Sequence, residues 1–265
     1  MRTLLLITAA VCLPVLAQTT SSLGKGVNFY SVEKEIALGQ GLAQEFERQA
    51  RLFDDAAVEQ YIQTLGARLT AQLPEDALVF PYTFRVTVSD DVGTHEPNSF
   101  PGGFIFVSTS LIAAAQDEAE LAGMLAHAIG HVVGRHGTRA ETRGQIANLA
   151  ATPMIFMGGW TGYGLRQAAQ LAIPLGFLTF ARGFELDADK IAVQLLNGAG
   201  YDPFALMKYI ERTQIDPQQS TTFSAMPSLA QRVARMRTAI EQLAASNEPA
   251  APGFTEIQEV VRRAN

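Results

Sequence analysis

Three of the four histidines in this 265-residue chain lie within ten positions, and this cluster limits the fold more than any other feature. His127 and His131 are four residues apart in a segment whose apolar spacing predicts a helix. At about 100° per residue their imidazoles lie about 40° apart on one helix face, where two of them can bind one Zn²⁺ ion. His136 follows His127 by nine residues, about half a turn off, so on a continuous helix it points away from such a site.

A matching pair of acidic residues lies in a later segment that is also predicted to be helical. Glu185 and Asp189 are four residues apart, so their carboxylates share one helix face. One carboxylate can bind the metal while the other accepts an N–H from a ligating imidazole and fixes its orientation. Glu185 is the best candidate for the third ligand. Each pair, taken alone, also fits an ordinary helix face, with buried histidines in the first case and solvated acids in the second.

The composition is that of a packed globular protein, and it excludes several classes. Hydrophobic residues make up 48% of the chain and charged residues 17%, so neither a disordered chain nor a coiled coil fits. The net charge of −6, with no run of basic residues, argues against a nucleic-acid partner. The single cysteine excludes a disulfide framework and a cysteine-ligated metal site.

The first residues have the pattern of a secretory signal peptide, which we place at residues 1–17. Arg2 precedes an apolar run that ends in Val15-Leu16-Ala17, with small residues at the positions read by signal peptidases. The run is short for a membrane span, and an uncleaved anchor is the alternative. We therefore expect an exported protein, located in the periplasm or outside the cell.

A second apolar segment, residues 144–181, contains Arg166 as its one charged residue. Its length makes it a membrane candidate, although several prolines and glycines interrupt any span. Three interpretations remain for it: buried or lid-forming helices, contact with a membrane surface, and a membrane-spanning hairpin.

The periodicity of the chain predicts an α+β protein that is mainly helical with a small mixed β-sheet. Alternation and β-branched residues predict strands at 83–89 and 104–108. Apolar spacing and capping residues predict helices at 31–53, 54–73, 117–137, 165–198, 203–214 and 227–244. Residues 246–265 are predicted to be a linker and a short C-terminal tail, which leaves one domain at residues 28–245.

These residues carry a resemblance to a known family. Residues 125–136, Leu-Ala-His-Ala-Ile-Gly-His-Val-Val-Gly-Arg-His, and Glu-x-x-Ala-Asp at 185–189 resemble the gluzincin metallopeptidases of the HtpX and CAAX-prenyl-protease type, most closely their exported, BepA-like members. Residues 101–107 are similar to the family's Pro-Gly-Gly strand, residues 31–39 to its N-terminal helix, and Pro227–Arg232 to its His-Pro…Arg segment. The resemblance covers roughly residues 30–240, and the motifs are specific in combination.

The resemblance implies a zincin-type metallopeptidase domain that holds one Zn²⁺ ion. The implied ligands are His127, His131 and Glu185, with Asp189 orienting an imidazole. It also implies a polypeptide substrate that adds as an extended strand beside the Pro-Gly-Gly strand. The residues expected to line the substrate there are Gly102, Gly103, Phe104, Ile105 and Phe106.

Two positions depart from the family pattern. Ala128 stands where the family has the glutamate that takes a proton from the metal-bound water, and loss of such a base costs about 10²–10⁴-fold in rate. Met226 stands before Pro227 where relatives have a histidine beside the metal. Arg232 remains, and it can stabilise a developing oxyanion or serve as a structural ion-pair partner.

Two functions therefore compete. The first is a zinc metalloendopeptidase that acts on exported or envelope proteins and is impaired by Ala128. The second is an inactive pseudo-protease that holds unfolded envelope clients in the same cleft. An experimental Glu-to-Ala change and a natural loss of the base both explain Ala128. A third, weaker hypothesis is a membrane-surface protein that works through residues 144–181.

Overall fold

The computed structural model describes most of the chain between residues 24 and 264. The described residues are 24, 26–88, 96–145, 146–155 by backbone alone, 181–213, 227–243 and 253–264. The predicted signal peptide, residues 156–180 and Met226 lie outside the described residues.

Each of the two N-terminal helices begins directly after a residue whose side chain caps it. Helix α1 spans Val32–Gln49, and the side chain of Ser31 accepts a hydrogen bond from the backbone N–H of Lys34 at its start. Helix α2 spans Ala56–Thr70, and Asp55 caps it in the same way. Both predicted helices are confirmed, and each ends a few residues before its predicted boundary. A single 3₁₀ turn, Glu75–Ala77, leads from α2 towards the sheet.

The sheet is small and mixed. Strand β1 is Thr83–Thr87, β2 is Asn98–Phe100 and β3 is Phe104–Ser108. Their order is β1-β3-β2, with β1 parallel and β2 antiparallel to the central β3. The two longer strands were predicted from their alternation, whereas β2 is a third strand that the sequence pattern did not indicate.

Seven further helices complete the described structure, and the fourth helix forms its centre. They are α3 Thr109–Ala114, α4 Glu118–Val133, α5 His136–Ile155, α6 at 181–198, α7 Ala205–Thr213, α8 Leu229–Ile240 and α9 Phe254–Ala264. Helix α4 packs against α2, α7 and the sheet, and only Ala119 and His131 of its residues are not buried. The α+β class, mainly helical with a small mixed sheet, is confirmed.

The C-terminal boundary of the domain was predicted wrongly. Phe254, Ile257 and Val261 recur at helical spacing, and α9 buries all three in the common core against α2 and α3. The side chain of Gln258 also donates to the carbonyls of Ile112 and Ala115 at the end of α3. The domain therefore includes residues 253–264, and the linker predicted just before them, at 246–252, lies outside the described residues.

None of the described helices combines the length and the apolar composition needed to cross a membrane. Of the segment 144–181, the described structure contains residues 144 and 145, the backbone of residues 146–155 at the end of α5, and residue 181 at the start of α6. Its proposed contact with a membrane surface stays a prediction.

Candidate metal centre

Helices α4 and α6 bring the two predicted residue pairs together. One ligand atom each from His127, His131 and Glu185 lies within 4.8 Å of the others. The Nε2 atoms of the two imidazoles are 3.0 Å apart. The Glu185 carboxylate lies 3.5 Å from Nε2 of His127 and 3.6 Å from Nε2 of His131. Gly130, between the two histidines, permits this approach, because a Cβ there would lie 2.8 Å from the carbonyl oxygen of Ala188.

The three groups fit a divalent cation. Two imidazole nitrogens and a carboxylate oxygen are the ligands of many catalytic zinc sites, which leave a fourth position open. Oε2 of Glu185 is buried without a hydrogen-bond partner among the described atoms, as expected of a ligand atom aimed at an ion. Burial alone would raise the pKa of Glu185, but the contacts with both imidazoles hold that pKa well below its usual range.

Asp189 supports His127 from the other side of its ring. A carboxylate oxygen of Asp189 lies 2.9 Å from Nδ1 of His127, which leaves Nε2 to face Glu185. Burial opposes protonation of His127, but its contacts with Asp189 and Glu185 raise the pKa of the imidazole to about 10. Metal and proton compete for the same nitrogen, so the contacts that favour a proton on this imidazole would also favour a bound cation.

Arg232 on α8 completes a buried ion pair with Asp189. Its Nε and Nη2 atoms donate to the two carboxylate oxygens at 2.8 Å and 2.7 Å, and both side chains are 0% exposed. Its Nη1 lies 3.6 Å from a carboxylate oxygen of Glu96, just before β2. Arg232 is therefore bound to the carboxylate that contacts His127, a candidate ligand. Of its two predicted roles, the geometry favours the structural ion pair over an oxyanion donor.

The expectation that His136 points away from the site was wrong. It assumed one continuous helix, but α4 ends at Val133 and α5 begins at His136. Between them Arg135 has a φ of 53°, in the left-handed region that is unfavourable for most residues. The break turns the His136 ring back towards the site, and its Nδ1 lies 3.2 Å from Nδ1 of His131. Burial lowers the pKa of His136 to about 4, so its ring is neutral at neutral pH.

Contacts with the N-terminal part of the chain hold this break. Nε of Arg135 donates to the Glu35 carboxylate at 2.6 Å, and its guanidinium also donates to the carbonyl of Tyr30 at 2.7 Å. Glu35 lies on α1 and is 1% exposed. The guanidinium of Arg139 donates to the carbonyl of Gly134 at 3.0 Å. An unfavourable backbone conformation is thus stabilised by a buried ion pair and by a capped carbonyl.

Ala128 lies beside His127 on α4 and is 2% exposed. Its methyl group can neither accept nor donate a proton, so the site contains no base at the position where the resemblance puts one. Both carboxylates of the candidate site already have charged or polar partners. Glu185 contacts the two imidazoles, and Asp189 contacts Arg232 and His127.

The predicted substrate strand needs a correction. Residues 104–106 belong to β3, which pairs with β1 on one side and with β2 on the other, so no substrate strand can add to it. Strand β2 has a neighbour on one side only within the described sheet, and it packs against α4. A cavity of about 150 Å³ lies between the two, bordered by Ser99, Phe100 and Pro101 on one side and by His131 and Val132 on the other. Gly102 and Gly103, with φ of 79° and 96°, form the turn between β2 and β3.

Comparison with known proteins agrees with this geometry. The profile described as Peptidase family M48 matches residues 56–240. The chain is 31% identical to the beta-barrel assembly-enhancing protease of Yersinia pestis and 28% identical to that of Escherichia coli, over 69% of this chain in each case. It spans 38% of the length of these two relatives. It is also 34% identical to the mitochondrial metalloendopeptidase OMA1 of Schizosaccharomyces pombe over 44% of this chain and 34% of that protein. The chain belongs to peptidase family M48.

Proposed function

We propose that this protein is a zinc metallopeptidase of the cell envelope whose own catalysis is weak because Ala128 replaces the general base. The observation that carries the proposal is the convergence of His127, His131 and Glu185 within 4.8 Å. Membership of a metallopeptidase family gives that convergence its chemical meaning. In this proposal the three residues hold one Zn²⁺ ion, and Asp189 orients His127.

The bound ion would supply Lewis-acid polarisation of a substrate carbonyl and of a water molecule. The protein's own part is to hold the three ligating side chains in place. Asp189 fixes the ring of His127 through Nδ1, and Arg232 keeps that carboxylate charged and immobile. The missing part is a proton acceptor at position 128, and we expect its absence to lower the rate by about 10²–10⁴-fold.

We propose that the substrate is a polypeptide that adds to the edge of β2 that has no neighbouring strand among the described residues. Backbone N–H and C=O groups on an unpaired strand edge bind an extended peptide through main-chain hydrogen bonds. This edge belongs to the strand that packs on the ligand-bearing helix, and the cavity between Ser99, Phe100 and His131 can receive a substrate side chain. In this proposal β2 takes the place of β3 as the strand beside which the substrate binds.

We propose an exported location, which two observations support. The N-terminal pattern at residues 1–17 is that of a secretory signal peptide. The relatives from Yersinia pestis and Escherichia coli carry a name that refers to beta-barrel assembly. We propose envelope polypeptides as substrates or clients on this basis.

A second candidate function has the same cleft and no catalysis. Ala128 favours it, because a site without a base can still bind an extended chain along β2. In that case the protein acts as a client-binding module, and the metal serves to hold α4 and α6 together.

Zinc content and proteolysis of two variants distinguish the functions. We expect about one zinc per chain and casein cleavage near background for the parent, with a rise of about 10²–10⁴-fold in Ala128→Glu. Ala128→Gln is the matched control, because its amide has nearly the shape of glutamate but accepts no proton, and it should stay at background. A parent without zinc would overturn the metallopeptidase proposal. A metallated Ala128→Glu with unchanged cleavage would favour the client-binding function.

A further inference from the structure

The two imidazoles of the candidate site are supported in different ways. His127 has the Asp189 carboxylate 2.9 Å from its Nδ1. His131 instead has Nδ1 of His136 at 3.2 Å, and Nε2 of His136 in turn lies 3.3 Å from a carboxylate oxygen of Asp187. We propose that His136 and Asp187 are positioning residues, which orient the His131 ring and fix its tautomer so that Nε2 presents its lone pair to the metal. This inference rests on the metal site proposed above.

The tautomer follows from counting donors and acceptors along this chain of three side chains. An ionised carboxylate only accepts hydrogen bonds, so Nε2 of His136 carries the ring proton and donates a hydrogen bond to Asp187. With one proton on this ring, Nδ1 of His136 presents a lone pair, which makes Nδ1 of His131 the donor between the two rings in this arrangement. Nε2 of His131 is left without a proton, and this is the atom that lies 3.0 Å from Nε2 of His127.

The position of His136 is fixed by packing on several sides. Its ring stacks on Phe184, with ring centroids 4.6 Å apart and an angle of 19° between the planes. The Arg139 guanidinium lies over the same Phe184 ring at 5.0 Å. Gly134 makes room for the imidazole, because a Cβ there would lie 2.1 Å from Nε2 of His136. The ring is 3% exposed, so it is a rigid partner for His131.

His131 differs from His127 in its exposure to water. Its side chain is 22% exposed, against 2% for His127, so water can reach this ligand. A water molecule at Nδ1 could donate or accept and would leave both tautomers available, whereas a buried acceptor permits one. His136 therefore does for the exposed ligand what Asp189 does for the buried one.

Four variants separate hydrogen bonding from packing. His136→Phe retains a ring on Phe184 but removes both nitrogens, and His136→Asn retains an acceptor near the Nδ1 position. Asp187→Ala removes the carboxylate from a side chain that is 48% exposed, and Asp187→Asn retains an oxygen that accepts from Nε2 of His136. The zinc affinity of each full-length variant is measured by competition with a chelator, and the tautomer of His131 is measured by ¹⁵N NMR of the metal-free parent.

We expect His136→Phe to weaken zinc binding by about 10–100-fold and Asp187→Ala to weaken it less, in the same direction. The two conservative variants should recover most of the affinity, and the NMR should find the proton of His131 on Nδ1. Phe184→Leu removes the stacking and keeps both nitrogens, so it should lower stability and weaken zinc binding less than His136→Phe does.

The inference is overturned if a folded His136→Phe binds zinc within about threefold of the parent, or if His131 carries its proton on Nε2. It is also overturned if Phe184→Leu loses as much affinity as His136→Phe, because packing would then be the whole effect. A parent that binds no zinc would overturn the metallopeptidase proposal, and the NMR measurement would still decide the tautomer.

Discussion

Replacing Asp189 by asparagine tests how the buried charges hold the site. Asp189 and Arg232 are both 0% exposed and form two hydrogen bonds, so neither charge is compensated by water. Asparagine has nearly the same shape but no charge. It leaves the Arg232 guanidinium with the carboxylate of Glu96, which is 3.6 Å away and 37% exposed. Removing one partner of a buried pair costs about 3–5 kcal/mol, and we expect that loss of unfolding free energy for Asp189→Asn.

This loss is large against the total stability of a domain, which is about 5–15 kcal/mol. Guanidinium unfolding followed by circular dichroism measures it, with EDTA present so that metal binding does not contribute. Asp187→Asn is the matched control, because it makes the same change two residues away where the side chain is 48% exposed. We expect that control to stay within about 0.5 kcal/mol of the parent.

A loss below about 1 kcal/mol in Asp189→Asn would refute this reasoning, since Arg232 would then be solvated or paired in another way. The double variant Asp189→Asn, Arg232→Met supplies a second check. It removes both charges, so it should recover part of the stability that the single change loses.

Three further outcomes can be checked by thermal or denaturant unfolding. Zinc at about 1,000 times its dissociation constant should stabilise the protein by about 4 kcal/mol, and an unchanged melting temperature would contradict the metal site. Arg135→Ala leaves the carboxylate of Glu35, which is 1% exposed, without its cationic partner, so we expect the unfolding free energy to fall by about 3–5 kcal/mol. A fall of less than about 1 kcal/mol would show that other contacts hold the break at Arg135. Gly39→Ala would place a Cβ 1.6 Å from the carbonyl oxygen of Pro101, so it should lower the unfolding free energy by at least about 1–3 kcal/mol. Gly41→Ala is the control, because its Cβ would have nothing within 4 Å, and it should be neutral or stabilising. Equal effects of the two changes would contradict the contact with Pro101.

The two residue pairs of the candidate site could be predicted because each pair depends on local periodicity alone. A spacing of four residues on a helix puts His127 beside His131, and Glu185 beside Asp189, whatever the rest of the fold does. Charge and burial then make it favourable for two such helix faces to meet, as α4 and α6 do. The two longer strands and the positions of α1 and α2 were also predictable, since their signals are local.

The features that were missed depend on distant residues or on very short patterns. The break at Arg135 needs Glu35, which is 100 positions earlier, so the local sequence alone favoured a continuous helix through His136. Strand β2 has three residues, too few for alternation to be visible. Without β2, the Pro-Gly-Gly strand was assigned a free edge that it does not have. Helix α9 was missed because the Pro/Ala-rich linker before it suggested a tail.

The ion pairs around the site have a consequence for how the protein can be studied as it folds. Arg135 meets Glu35 across 100 positions, and Arg232 meets Asp189 across 43. Contacts of such separation form only when the whole chain has found its topology. A peptide that covers α4 alone would carry both histidines and lack the groups that orient them. We therefore expect high-affinity zinc binding only from the completed domain, and bound zinc would then report the fraction of native molecules in a folding or export experiment.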